Sequence, residues 1–306
     1  MNHLFFNPHR MNAILQRGFD QTNLVGSVGG VTYRRVAGVT VASQKVPMHV
    51  EHTRTAALML TRMKWVNLVA LWKSINTTGW HPSFQRENRR ISDFNMFLRA
   101  NFAAANTFIT KEVSRAYGSV VAPVRLTSGS FLSPVTVEDD GQGRFESNLS
   151  FNGSIGNSTT LKGFSDLICE GNDGWQDGDK LVILVVRQMT TNGVPYSMSV
   201  AQSVTLRTDD DANQILLNEY IDPSWLAVVD GTLALSFPVN GGCAFVHSRI
   251  VDGETVCSTQ SLVVNNSSLA DYQGLTAFNK AAVSYGGVER NQLLTPDSGS
   301  DFIFQP

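Results

Sequence analysis

The sequence predicts an α+β chain: a helical N-terminal part that carries a β-hairpin, followed by a β-rich, sandwich-like domain with two peripheral helices. Three observations predict it. Residues 54–75 contain no Gly or Pro and spread apolar side chains over most of a helical circumference. Beyond Gly118 the chain turns to β-branched and aromatic runs separated by Gly, Asn and Asp turns. Charge changes at the same place: residues 1–115 hold 15 of the 24 Lys and Arg but 5 of the 26 Asp and Glu. The formal net charge of −2 over 306 residues is therefore +10 in front and −12 behind. The expected domains are 1–118, a basic hairpin-plus-helices assembly domain, and 119–306, an acidic β-rich domain.

In chain order, Gly26-Ser-Val-Gly-Gly30 comes first. It matches neither GxGxxG nor a P-loop, and a strand follows it, so it reads as flexible turn glycine. Val31-Thr-Tyr-Arg-Arg35 and Val39-Thr-Val-Ala-Ser43 flank a Gly-containing turn and read as a hairpin. The helix over 54–75 places Leu58, Trp65, Val69 and Trp72 among its apolar positions. A helix apolar nearly all round belongs in a core or against another subunit, so these four form the candidate subunit-interface face. Ser92 is placed to cap a second helix, with Asp93 in its first turn, and Thr110 to cap a shorter third that Gly118 closes.

Strands are expected at 120–126, 145–151, 180–189, 197–206, 232–237, 244–251 and 255–264, with helices at 160–170 and 269–285. Asp252-Gly253 between two alternating runs is the signature of a two-residue hairpin loop. That register sets Arg249 opposite Val256 and Ser248 opposite Cys257, so Cys243 and Cys257 are not cross-strand partners.

Composition excludes several classes. With 42% hydrophobic and 16% charged residues the chain is neither disordered nor fibrous. Its longest aliphatic run, Leu181 to Val186, falls far short of the roughly 20 residues that span a bilayer. No signal-peptide core develops around Phe5-Phe6, which implies synthesis in the cytoplasm. Cys169, Cys243 and Cys257 form no CxxC pair and read as free thiols.

Chemistry is sparse. His247 and Ser248 are neighbours on a strand, so they face opposite sides and cannot share a proton; a polar face of a half-exposed strand is expected there. The run Asn172 to Asp179 lacks the calcium-loop register and reads as a solvated turn, as do Glu138-Asp139-Asp140 and Asp209-Asp210-Asp211. His49, His52 and His81 have no metal-ligand spacing. Neither catalysis nor a cofactor is expected. Arg34, Arg35, Lys45, Arg86, Arg89 and Arg90 form a candidate basic contact surface. The alternatives are contact with an acidic protein surface, including the chain's own C-terminal part, contact with DNA, and plain solvated charge.

Two sets of short blocks resemble a known family. The first is Gly30-Val-Thr-Tyr-Arg-Arg, Val39-Thr-Val-Ala-Ser-Gln-Lys, the stretch 53–71, Ser92-Asp-Phe-Asn-Met-Phe and Ile109-Thr-Lys-Glu-Val. The second is Ala244-Phe-Val-His-Ser-Arg, Gly253, Val256-Cys-Ser-Thr-Gln-Ser-Leu-Val-Val and Ser284-Tyr-Gly-Gly. Together they resemble a family of uncharacterised proteins from Bacteroidetes and their crAss-like bacteriophages. The resemblance implies a virion structural protein, a ring-forming component of the tail or head-tail region. Its implied partners are other copies of itself, other tail, portal or ring proteins, and passing genomic DNA. It supplies no catalytic residue. The alternative is a nucleic-acid- or glycan-binding accessory protein.

Overall fold

The computed structural model describes residues 12–14, 26–28, 31–36, 39–44, 56–76, 78–85 and 91–286. The chain divides into two units, Met1–Thr53 and Arg54–Pro306. The boundary expected near 118 falls inside the second unit: the helices that precede it pack on the sheet that follows it.

The first unit is a four-stranded antiparallel sheet of β1 (Asn12–Ile14), β2 (Gly26–Val28), β3 (Val31–Val36) and β4 (Val39–Gln44), in the order β1-β4-β3-β2. The expected hairpin is β3–β4, closing on the Val36–Val39 pair. Gly26, expected to be a turn residue, instead opens β2. Its partner is Tyr33, and the β2–β3 pairing ends on Val28–Val31; Gly29 and Gly30 lie outside the described residues.

The second unit begins with α1 (Ala56–Asn76), α2 (Asp93–Asn101) and α3 (Lys111–Arg115). Ser92 Oγ caps α2 by accepting from Asn95 N, and Thr110 Oγ1 caps α3 by accepting from Val113 N. Then come β5 (Arg125–Thr127), β6 (Val137–Asp139), β7 (Phe145–Ser150), α4 (Leu161–Gly171), β8 (Lys180–Thr191) and β9 (Val194–Thr205). The rest comprises β10 (Leu226–Val229), β11 (Thr232–Leu235), β12 (Gly241–Val251), β13 (Glu254–Cys257), β14 (Gln260–Ser261), β15 (Val263–Asn265) and α5 (Gly274–Ser284). The helix expected over 269–285 is two pieces: a 3-10 turn Leu269–Tyr272, then α5.

Two sheets matter. One runs β13-β12-β8-β9, with β15 also pairing β12; the other runs β10-β11-β7-β6. Strand β8 explains the layering. Its residues Leu181, Ile183 and Val185 share a core with Phe145 and Leu149 of β7, Leu233 and Leu235 of β11, and Phe164 and Ile168 of α4. Its alternate residues Leu184 and Val186 share another with Leu68, Leu71 and Ile75 of α1 and Phe97 and Leu98 of α2. The sheet is covered on both faces, which is why six successive aliphatic residues stand there. At ~1.5–3 kcal/mol per buried aliphatic side chain, they contribute at most on the order of 10–15 kcal/mol before chain entropy is set against it.

The segment expected as a strand at 120–126 is buried except at Pro123 and Arg125, and pairs as a strand only from Arg125. Side-chain amides satisfy its backbone. Asn67 of α1 donates to Val120 O (2.9 Å) and accepts from Val120 N (2.8 Å). Gln188 Oε1 accepts from Val121 N and Asn266 Nδ2 donates to Val121 O, both at 2.8 Å. Buried amide groups without such partners would destabilise the fold.

Candidate functional site

The strongest concentration of chemistry lies at one end of β8 and β12. The antiparallel register sets His247 opposite Leu181 and Ser248 opposite Lys180, so Asp179, just before β8, meets the side chains of β12. Asp179 Oδ2 lies 2.8 Å from His247 Nε2. Arg249, two residues on and therefore on the same face, donates from Nε to Asp179 Oδ1 (2.5 Å) and from Nη2 to Oδ2 (2.7 Å). A further Nη2 bond reaches Gly174 O at 2.7 Å. Trp175 lies flat on the imidazole, with ring centroids 3.7 Å apart and planes inclined by 9°.

Burial corrects two expectations. His247 and Ser248 are 1% and 5% exposed, not a half-exposed polar face, because β12 has strands on either side and packed layers above and below. The run 172–179 is solvated at Asp173 and Asp177 but ends in Asp179, which has no exposed surface. Burial would raise the Asp179 carboxyl. The hydrogen bonds from Arg249, His247 and the Gln176 amide outweigh it and hold the group at about 2. Ionised, the carboxylate can only accept, so His247 Nε2 carries the proton in this bond.

A hydrolytic dyad needs a nucleophile on the other imidazole nitrogen. Buried His247 Nδ1 has no hydrogen-bond partner among the described residues, and Ser248 turns the other way, toward Lys180 O. Cys169 shares the neighbourhood, but burial and the charges of Asp179 and Asp177 push its thiol up to about 11. Burial likewise raises Cys257 to about 11 and drives Cys243 upward. All three cysteines are free, as expected. The geometry is a clasp that ties the 172–179 turn to β12. A concavity between α1, α2 and the 120–124 segment encloses about 10 Å³, room for about one water.

Among the described residues no three His, Cys, Asp or Glu side chains converge as metal ligands. The acidic turns use their carboxylates locally. Asp140 Oδ1 accepts from the Gln142 and Arg144 amides, Asp139 from the Gly143 amide and Asn265, and Asp209 pairs with Arg207 while accepting from Ala212 N. His81 is exposed; His49 and His52 lie outside the described residues.

Of the candidate basic surface, Arg34 and Arg35 are exposed on β3. Lys45, Arg86, Arg89 and Arg90 lie outside the described residues, as does the side chain of Leu58. The other interface candidates have partners in their own unit. Trp72 tilts against Phe94 and Phe97 of α2 at 5.6 and 5.3 Å, and Val69 packs half-buried on the same core. Trp65 is 41% exposed and touches Phe94 edge-on. Met63, from another side of α1, packs with Phe278, Ala281 and Ala282 of α5. Much of the all-round apolar pattern of α1 is thus met within the fold.

One surface escaped the sequence reading. Among the described residues strand β9 pairs with β8 alone, at the sheet's end, and its 12 residues include no charged side chain. Met189, Met198 and Val200 are 38–44% exposed on one face of the β8–β9 ribbon. The signal was available in the uncharged composition of 194–205. No family model matches the chain, and neither does any curated protein or solved structure.

Proposed function

We propose that the protein is a non-enzymatic structural component of a crAss-like phage virion, forming a homo-oligomeric ring in the tail or head-tail region. The contacts are heterologous: the basic front of one copy meets the acidic back of the next, and the ring closes when the rotation permits. The charge partition carries this reading, +10 over residues 1–115 against −12 over 116–306. Exposed Arg34 and Arg35 supply the first sign, and exposed Glu138, Asp140, Asp173, Asp177, Asp210 and Asp211 the second. The family resemblance supports the same class. The partners are neighbouring copies, then other tail, portal or ring proteins, with genomic DNA passing near the basic face. The protein is made in the host cytoplasm and resides in the virion.

Native mass spectrometry of the full chain across a salt series tests this. A single closed ring order at low salt, dissociating as salt rises, is expected because exposed ion pairs are screened beyond about 10 Å at 0.1 M. A strict monomer at low salt overturns it. In the accessory-protein reading, the exposed pair Arg34 and Arg35 would instead bind DNA with a steep salt dependence, removed by Arg34→Glu and Arg35→Glu.

A further inference from the structure

We infer that β9 joins two copies of this chain through a two-fold antiparallel strand pairing centred on Ala201, a contact separate from the ring interface. The backbone sets the direction. Ser197 N–H donates to Ser119 Oγ at 2.7 Å, and Ser197 C=O accepts from Ser74 Oγ at 3.1 Å. Pro195 C=O accepts from Ser119 N at 2.8 Å. The odd-numbered residues of β9 therefore turn their backbone groups away from β8, and the even-numbered ones bond to it. Ser119 and Ser74 cover the backbone of this edge as far as Ser197, and the Ser74 hydroxyl also meets the Ser199 hydroxyl at 2.8 Å. Beyond Ser197, the N–H and C=O groups of Ser199, Ala201 and Ser203 have no hydrogen-bond partner among the described residues.

An open edge of this kind is a template for another strand unless charge, proline or a bulge blunts it. Here the sole proline, Pro195, lies in the covered part, the β8 register is unbroken, and no side chain is charged. The sequence is self-complementary about Ala201. Ser199 falls opposite Ser203 of the second copy and Ala201 opposite itself, so small groups meet their like, while each Val200 falls opposite a Gln202 and no like charges are opposed.

Charge selects a second copy as the occupant. Arg187 is the cross-strand partner of Met198 and stands exposed over the Phe237 ring, with no carboxylate partner among the described residues. Asp222 lies at the other end of the same face: its N–H donates to Gln202 Oε1, and its carboxylate accepts from Ser224 N, with no cation beside it among the described residues. Two-fold pairing reverses the second strand, which carries each Arg187 toward the Asp222 of the other copy. The exposed Met198 and Val200 then lie between these charges, on a face that continues across the two copies.

The test is sedimentation velocity and native mass spectrometry of the full chain over a concentration series. Wild type should form two-fold pairs that persist at high salt, giving dimers or even-numbered assemblies. Ala201→Pro removes an outward N–H without touching the β8 ladder. It should retain its circular dichroism and lose pairing at least tenfold. Arg187→Asp and Asp222→Arg should each weaken pairing several-fold, and the double variant should restore it. Wild type that never pairs, or a folded Ala201→Pro that pairs unchanged, overturns the inference. Should Ala201→Pro not fold, the charge-reversal cycle decides: no rescue by the double variant rejects it. Salt-resistant pairs without a ring support the edge contact and reject the ring reading. A ring of odd order without doubling does the reverse.

Discussion

Replacing Asp179 by Asn should cost the second unit about 3 kcal/mol at neutral pH. The magnitude follows from the clasp. A carboxyl that ionises at about 2 instead of its ordinary 3.8 favours the folded state by about 2.4 kcal/mol, at ~1.36 kcal/mol per pH unit. Asparagine also leaves Arg249, whose side chain is 16% exposed, without its counter-ion. Breaking such a buried pair from one side costs about 3–5 kcal/mol, and this overlaps with the first figure. For a unit of this size the melting temperature should fall by about 6–12 °C. The sign with pH follows from the lowered carboxyl. Its contribution is complete above the unfolded-state value near 3.8 and disappears as pH falls through about 2. Urea unfolding of wild type and Asp179→Asn, followed by tryptophan fluorescence with Trp175 stacked on His247, measures both. The carboxylate's share of the gap should shrink to about half by pH 3. A neutral-pH loss below about 1 kcal/mol, or a gap that does not narrow under acid, would refute the assignment of the clasp as a stabilising pair.

Asn67→Ala should leave the buried Val120 N–H and C=O unpartnered and cost about 2–6 kcal/mol by urea unfolding, at ~1–3 per group. Hydrogen exchange at Val120 should quicken with it. Gly241→Ala puts a methyl 2.0 Å from Val186 O at φ +153°; a central strand must shift, and losses above about 3 kcal/mol or insoluble expression are expected. Gly253→Ala, with φ +78° and open space around it, should cost only about 1 kcal/mol, so parallel thermal melts separate steric from conformational cost. Thiol labelling of the native protein should be slow at neutral pH, with Cys169 quickening as pH approaches its value of about 11; rapid labelling at pH 7 would contradict the raised thiols.

The sequence was most legible where structure is local. The Asp252-Gly253 hairpin forms in the expected register, Ser248 opposite Cys257 and Arg249 opposite Val256, because positive φ at both turn residues admits few alternatives. The helix caps at Ser92 and Thr110 and the span of α1 are equally local. What was not legible depends on distant residues. The 120–126 run has strand composition, but its partners at its N-terminal end are amides from residues 67, 188 and 266. The clasp joins residues 68 and 70 positions apart in sequence, and no spacing rule reaches that far. The strand at 180–189 was legible, and the unbroken aliphatic run Leu181 to Val186 within it is what a strand buried on both faces requires.

The structural division changes how the charge partition has to act. Of the +10 over residues 1–115, Met1–Thr53 carries only +3; the remaining +7 belongs to residues 54–115, in the same unit as the −12. An ion-steered ring therefore needs opposed surfaces of one unit more than two charged domains. Exposed Lys73, Arg99 and Arg115 on the helices and Asp173, Asp177, Asp210 and Asp211 on the turns would supply the two signs in the proposed ring. Reversing Arg99 and Arg115 to Glu should accordingly reduce ring formation more than reversing Arg34 and Arg35, chiefly by slowing association, since such charges steer encounter more than they hold it. If the Arg34 and Arg35 reversals have the larger effect, the first unit supplies the basic surface and the helical layer does not.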